Sequence, residues 1–393
     1  MIRSIFYWAI VFAFFLLYGC KPEQGKESSG EIIPIKLDFQ KEMKSIHDVG
    51  LIKDVEVISL DCDEAIIGNI DKVIKFDTII YLMDYSQNRS IYLFNLKGDF
   101  INVISNYGNG PEEYVQLTDM FIDHEDSTLN IVSRMDKKLF KYDLRGEKLR
   151  VIEKTPKSFT SMMKTDKGYM AYMANWVQVP TEPYNVWLMN EEMKITGSHF
   201  EIDKTWEGQY SSSGSVFSVY GDRCYYITPM DYNIYSLTDG QVEAKYKFDL
   251  GPFEWPNVPE SDILNDNKYR ELVNKYVYRF YNFQETKNHL IVKFLYKNQD
   301  VLGVYNKKQK GANIVTLNPY EEKYFFPFGK IIGFDEETIY TVVEASSMKK
   351  IWNGKDEYNN FEEKYPSQID NLRKKFKTIR EDGNPFLIMY SIN

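Results

Sequence analysis

The sequence predicts an all-β fold: a six-bladed β-propeller closed by an N-terminal strand, with two helical insertions on one face. Three observations predict it. Short strand-like runs recur in groups of four, a glycine-bearing turn returns at a nearly constant interval, and the strand count is one short at the C-terminus and one over at the N-terminus. A chain of 393 residues buries a large core in any arrangement. Its 30 Tyr and 25 Phe suit strands, because flat rings pack well on a pleated surface.

The first cycle reads Ile70–Phe76, Ile79–Asp84, Ser90–Asn95 and Phe100–Ser105. The second reads Thr118–Asp123, Thr128–Ser133, Lys138–Asp143 and Lys148–Glu153. β-branched and aromatic residues alternate within the runs, and turn residues separate them. The third turn recurs as Asn95-Leu96-Lys97-Gly98 and Asp143-Leu144-Arg145-Gly146, with Gly supplying the positive φ of a tight hairpin. Gly98 and Gly146 are 48 residues apart, and Gly240 follows 94 further on, which is two more periods of 47. Four strands in roughly 45 residues is a propeller-blade period.

Further blades are expected over about 158–201, 214–249 and 280–317. An inserted segment, 252–279, carries a helix near Ser261–Tyr278, and a second helical insert is expected over about 354–380. Lys330–Phe334, Thr338–Val343 and Pro385–Ile392 leave the sixth blade one strand short. Val55–Leu60 is the surplus strand at the other end, and pairing it with the terminal strand closes the ring and removes its exposed edges.

The organisation ahead of the blades follows from the first fifty residues. Arg3 and the apolar run Ile5 to Leu17 form a leader too short for a comfortable membrane span of about 20 residues. It ends in Leu17-Tyr18-Gly19-Cys20, which resembles the lipobox of bacterial lipoproteins. The resemblance implies that residues 1–19 are removed and that Cys20 is lipidated as the new N-terminus. Residues 20–49 are then the anchor and tether, and 50–393 the propeller. Tyr18 is bulkier than the residue usual there. Lys21 carries no inner-membrane retention signal, so a lipid anchor in the outer membrane is expected, on either its periplasmic or its surface side. Cys62 and Cys224 fall on non-adjacent blades and are expected to stay two separate thiols.

At this point the chain is similar to the six-bladed β-propeller lipoproteins abundant in gut Gram-negative anaerobes, relatives in shape of NHL-repeat propellers. The matching stretches are Val57-Ile58-Ser59-Leu60, Ile67-Gly68-Asn69-Ile70-Asp71-Lys72, Tyr107-Gly108-Asn109-Gly110-Pro111-Glu112-Glu113-Tyr114 and Asn384-Pro385-Phe386-Leu387-Ile388-Met389-Tyr390. The family's loop usually has Gly where Glu112 stands. The resemblance implies fold and compartment, and no established activity.

Composition narrows the partners. The formal charge is −9, and an acidic chain without a basic block is a poor partner for nucleic acid. His47, His124, His199 and His289 stand singly, without metal-ligand spacing, and read as ordinary surface or structural residues. No nucleophile elbow, His-Glu-x-x-His or phosphate loop is present, so no catalytic residue, metal or cofactor is assigned. Gly108-Asn109-Gly110-Pro111 precedes a strand and not a helix, which removes a dinucleotide reading and leaves a blade-to-blade crossover with Tyr114 packed between blades.

Strand direction alternates within a blade, so blade links and second-to-third-strand loops open on one face and the other turns on the opposite face. All long excursions here are of the first kind. Trp176, Trp206, Tyr210, Trp255 and Trp352 lie in them and are the candidate ligand-binding residues, since loop aromatics stack on sugar rings or grip peptides. The competing reading is that these rings pin the insertions to the propeller. The expected function is therefore non-catalytic binding of a glycan, a peptide or an envelope protein. A hydrolase or lyase with its site at the channel mouth, or an envelope scaffold, remains open.

Overall fold

In the computed structural model, the described residues are 31–393 apart from 47, 61, 209–213, 229–230, 239, 318–329 and 354–379. Six sheets, each with four antiparallel strands at its centre, follow one another along the chain as six blades. The first holds β4 (Lys72–Phe76), β5 (Ile79–Asp84), β6 (Ser90–Asn95) and β7 (Phe100–Ile104). The second holds β8 (Leu117–Asp123), β9 (Thr128–Ser133), β10 (Lys138–Asp143) and β11 (Leu149–Lys154). The third runs β12 (Ser161–Thr165), β13 (Gly168–Tyr172), β14 (Tyr184–Met189) and β15 (Ile195–Glu201). The fourth runs β16 (Phe217–Tyr220), β17 (Arg223–Ile227), β18 (Asn233–Thr238) and β19 (Gln241–Asp249). In the fifth stand β20 (Tyr278–Glu285), β21 (His289–Tyr296), β22 (Gln299–Asn306) and β23 (Gly311–Thr316).

The sixth blade is the seam. It combines β24 (Lys330–Phe334), β25 (Thr338–Val343) and the C-terminal β26 (Phe386–Ile392) with β3 (Ile52–Ser59) as its outer strand. Phe386 pairs with Ser59 and Tyr390 with Val55, as strand arithmetic requires. Asn384 fastens the seam from inside: its amide donates to the Leu60 and Ala65 carbonyls at 3.0 and 2.8 Å and accepts from the Ile67 N–H at 2.9 Å.

The core lies between blades. Ile80, Tyr81, Leu82 and Met83 on β5 are all at most 1% exposed, because both faces of a middle strand are covered by neighbouring blades. That is why such strands read as continuous apolar runs. Gly98, Gly146 and Gly240 take φ of 87°, 65° and 76°, the left-handed turns that their spacing announces. Tyr114 is fully buried between the first two blades and donates its hydroxyl to the Arg89 carbonyl at 2.6 Å. No disulfide joins Cys62 and Cys224; burial pushes the Cys224 thiol up to about 11.

Two differences from the sequence expectation stand out. Part of the expected tether, 20–49, is built into the propeller: β1 (Ile33–Lys36) adds in parallel to β19, and β2 (Lys44–Ser45) to β23. Ile35 and Leu37 are buried, and Phe39 sits against Phe253 and Tyr296 with ring centroids 4.9 Å away in each case. From Ile33 onward the chain packs with the blades. The insertion after the fourth blade has two helices, α1 (Glu260–Ile263) and α2 (Asp266–Lys275), the latter N-capped by Asn265. A third helix, α3 (Ala345–Asn353), opens the insertion in the sixth blade, whose expected helix at 354–380 lies almost wholly outside the described residues.

Candidate aromatic face

The loops of the link face carry six of the exposed large apolar side chains among the described residues, the others being Ile32, Ile33, Val151 and Val219. Ile66, Tyr107, Met135, Trp176, Val179 and Leu264 are all exposed and all lie in blade links or second-to-third-strand loops. Among the described residues, the short turns of the opposite face contribute no exposed large hydrophobic residue.

The contacts of these loops run from blade to blade. Arg89 lies over the Tyr107 ring, 4.3 Å from its centroid. The crossover that follows Tyr107 is held by the Gly110 N–H donating to the Glu113 carboxylate at 2.7 Å, and Lys138 reaches its Pro111 carbonyl at 3.4 Å. Arg134, in the same loop of the second blade, lies over Trp176 at 5.3 Å. The loop of Trp176 meets the next blade link through the Gly208 N–H and the Asn175 carbonyl, 2.8 Å apart. Trp206 in that link stands edge-on to Trp255 with centroids 6.0 Å apart.

The candidates therefore differ in kind. Trp176 is 52% exposed and has one guanidinium against it. Trp255 is half-buried, with Tyr269 of α2 at 6.2 Å and Tyr278 of β20 at 5.9 Å, so its ring pins the insertion to the fifth blade. Its main-chain N–H donates to the Tyr232 hydroxyl, and its indole nitrogen is buried without a partner. Trp206 is half-buried between these extremes. Tyr210 and Cys20 lie outside the described residues, as does the side chain of Trp352 on α3. Sequence reasoning missed Tyr107, Arg89 and Arg134: a lone arginine gives no sign in sequence of the ring on which it will rest.

A second feature runs along the axis. The inner strands of all six blades line a cavity of about 440 Å³. On its wall the Lys72 ammonium contacts Asp119 at 2.6 Å, and Asp119 also accepts from the Met162 N–H at 3.1 Å, which ties three blades together. Asn282 and Ser215 exchange main-chain and side-chain hydrogen bonds and tie the fifth blade to the fourth. These polar groups spend their valences on one another. At the other mouth the Gly221 N–H donates to Glu336 at 2.7 Å, and His124 stands edge-on to Phe76 at 4.8 Å. His199 and His289 are buried. Among the described residues, no three His, Cys, Asp or Glu side chains gather as a metal site, and no helix is long and apolar enough to cross a membrane.

The family model described as "Domain of unknown function (DUF4934)" matches residues 30–391. No curated protein matches the chain. The chain is similar in structure to a protein of Bacteroides fragilis NCTC 9343 described as exported, at 17% identity, over 92% of this chain and 99% of that one, with a TM-score of 0.70. It is also similar to a member of the DUF4221 family from Bacteroides vulgatus ATCC 8482, at 12% identity, over 87% and 97% of the two chains, with a TM-score of 0.51. At these identities the likeness speaks to the propeller fold.

Proposed function

The chain belongs to the DUF4934 family, and from that footing we propose that it is a lipid-anchored envelope protein that binds an extended ligand, glycan or peptide, without chemistry of its own. The observation that carries the reading is the row Tyr107–Trp176–Trp206–Trp255, which crosses the loops of successive blades on a face whose loops expose apolar side chains. Monomeric proteins seldom leave large rings such as Tyr107 and Trp176 bare unless something covers them. A row favours a chain-like ligand over a compact one, because successive units meet successive rings. Anchoring rests on Leu17-Tyr18-Gly19-Cys20, and an exported structural neighbour is in keeping with it.

The test separates a platform from an anchor. Trp176→Ala should weaken binding to the recognised member of a glycan and peptide panel by roughly 1–3 kcal/mol, the scale of a buried aromatic contact. Its melting temperature should hardly move, because half of the ring is already in water. A large loss of stability with unaltered binding would overturn the reading.

A further inference from the structure

We propose that the ligand of the aromatic row is a carboxylated polysaccharide, a uronic-acid chain, read by Arg89 and Arg134. The inference rests on the binding reading above and assigns its ligand class. Both guanidiniums lie on exposed rings, Tyr107 at 49% and Trp176 at 52% exposure. They occupy the second-to-third-strand loops of the first and second blades, so the pairing of arginine with ring is repeated one blade further on. Neither arginine forms an ion pair among the described residues.

Several of the chain's other cations, by contrast, are paired. Lys72, Lys138, Lys141, Lys157, Lys164 and Lys307 are all matched to carboxylates, as an excess of 57 acidic over 48 basic residues makes easy. Arg89 is exposed and Arg134 partly exposed, and no carboxylate of the described residues takes up their donors. A guanidinium held over a ring keeps N–H donors that match a carboxylate bidentately. The ring beside it offers the C–H face of a pyranose a stacking surface. A uronic acid carries both features on one unit, and a polymer repeats them. An acidic peptide shares the charge, but it calls for side-chain pockets or a free strand edge. The row offers flat rings in loops instead.

The experiment uses the full chain, its Arg89→Gln, Arg134→Gln, Arg134→Lys and Trp176→Ala variants, and three probes. These are sodium polygalacturonate, the same polymer fully methyl-esterified, and poly-glutamate. Polygalacturonate should bind, and esterification or either glutamine variant should weaken it about tenfold, the scale of one charge-assisted hydrogen-bonded pair. Arg134→Lys should recover only part, since an ammonium keeps the charge but loses the fork. Added salt should weaken binding. Equal binding of the esterified polymer, indifference to both glutamine variants, or no binding of polygalacturonate overturns the proposal. Equal binding of poly-glutamate overturns its sugar component. A neutral glycan held by the parent chain and lost in Trp176→Ala would leave the binding reading standing while this one falls. Indifference of every ligand to Trp176→Ala would remove both.

Discussion

Replacing Asn384 by alanine should be among the most damaging single changes in the molecule, although the residue touches neither the aromatic row nor a catalytic group. Asn384 is 7% exposed and makes three hydrogen bonds across the seam, to Leu60, Ala65 and Ile67, more than 300 residues away in sequence. Truncation removes all three and leaves one N–H and two carbonyls in a buried place, where water has little access. A net loss of about 1 kcal/mol per bond gives about 3, and the unpaired groups raise the sum toward 5 kcal/mol. That exceeds the usual cost of a point substitution, roughly 0.5–3 kcal/mol. Asn384→Asp sharpens the test. It keeps the acceptor for Ile67 but sets a carboxylate against two carbonyl oxygens 2.8 and 3.0 Å from the present amide nitrogen. The folded state then favours the protonated acid, so its pKa rises above the unfolded value of about 3.9, and the variant should regain stability as pH falls toward the raised pKa. Urea unfolding at pH 7.5 and 5.5 measures both effects. A midpoint for Asn384→Ala within about 1 kcal/mol of the parent would refute the idea that this amide fastens the ring.

Three further outcomes follow. Cys20→Ala should appear in the soluble fraction or as an unprocessed precursor, and continued lipid labelling of that variant would contradict the lipobox reading. Trp255→Ala should cost about 3 kcal/mol or more of stability, as for truncation of a packed large side chain, with far less effect on ligand than Trp176→Ala; a stable variant would show that the ring is no anchor. Burial holds the His199 and His289 pKa values down, and the main-chain oxygen of Asn393 and the Asn306 amide, each 3.1 Å from a ring nitrogen, suit a neutral His289. Because the folded pKa values lie below the unfolded value of about 6.5, stability is complete above that pH and is lost as pH falls through the folded values. His289→Gln should flatten the fall in melting temperature between pH 7 and 5, and an unchanged slope would point to other groups.

The blades were legible because each is a local object: four strands, three turns and a glycine at a repeating place. The seam was legible by counting. The two parallel strands β1 and β2 were not. Ile33-Pro34-Ile35-Lys36 contains a proline that argues against a strand, and it is tolerated because β1 is an outermost strand with one side open to solvent. Lys44–Ser45 is too short to show a period. Loop parity brought the tryptophans to one face on paper, and Trp206 and Trp255 do meet there. What it could not supply was the division of labour, because exposure depends on what lies beneath each ring. Tyr278 and Tyr269 lie against Trp255, and Arg134 lies against the more exposed Trp176.

The seam has a kinetic consequence. Five blades are made of consecutive strands and can form as hairpins whenever their own residues are available. The sixth joins residues 52–59 to residues 386–392, so β3 must wait for the last strand of the chain. Closure of so long a loop costs entropy before any contact repays it, and contacts of great sequence separation form late. A chain crossing a membrane from its N-terminus would therefore stay an open, unlocked ribbon until its final residues had arrived. A truncated product lacking only its last seven residues would keep five blades yet never lock, with β3 left as an unpaired edge open to aggregation or proteolysis.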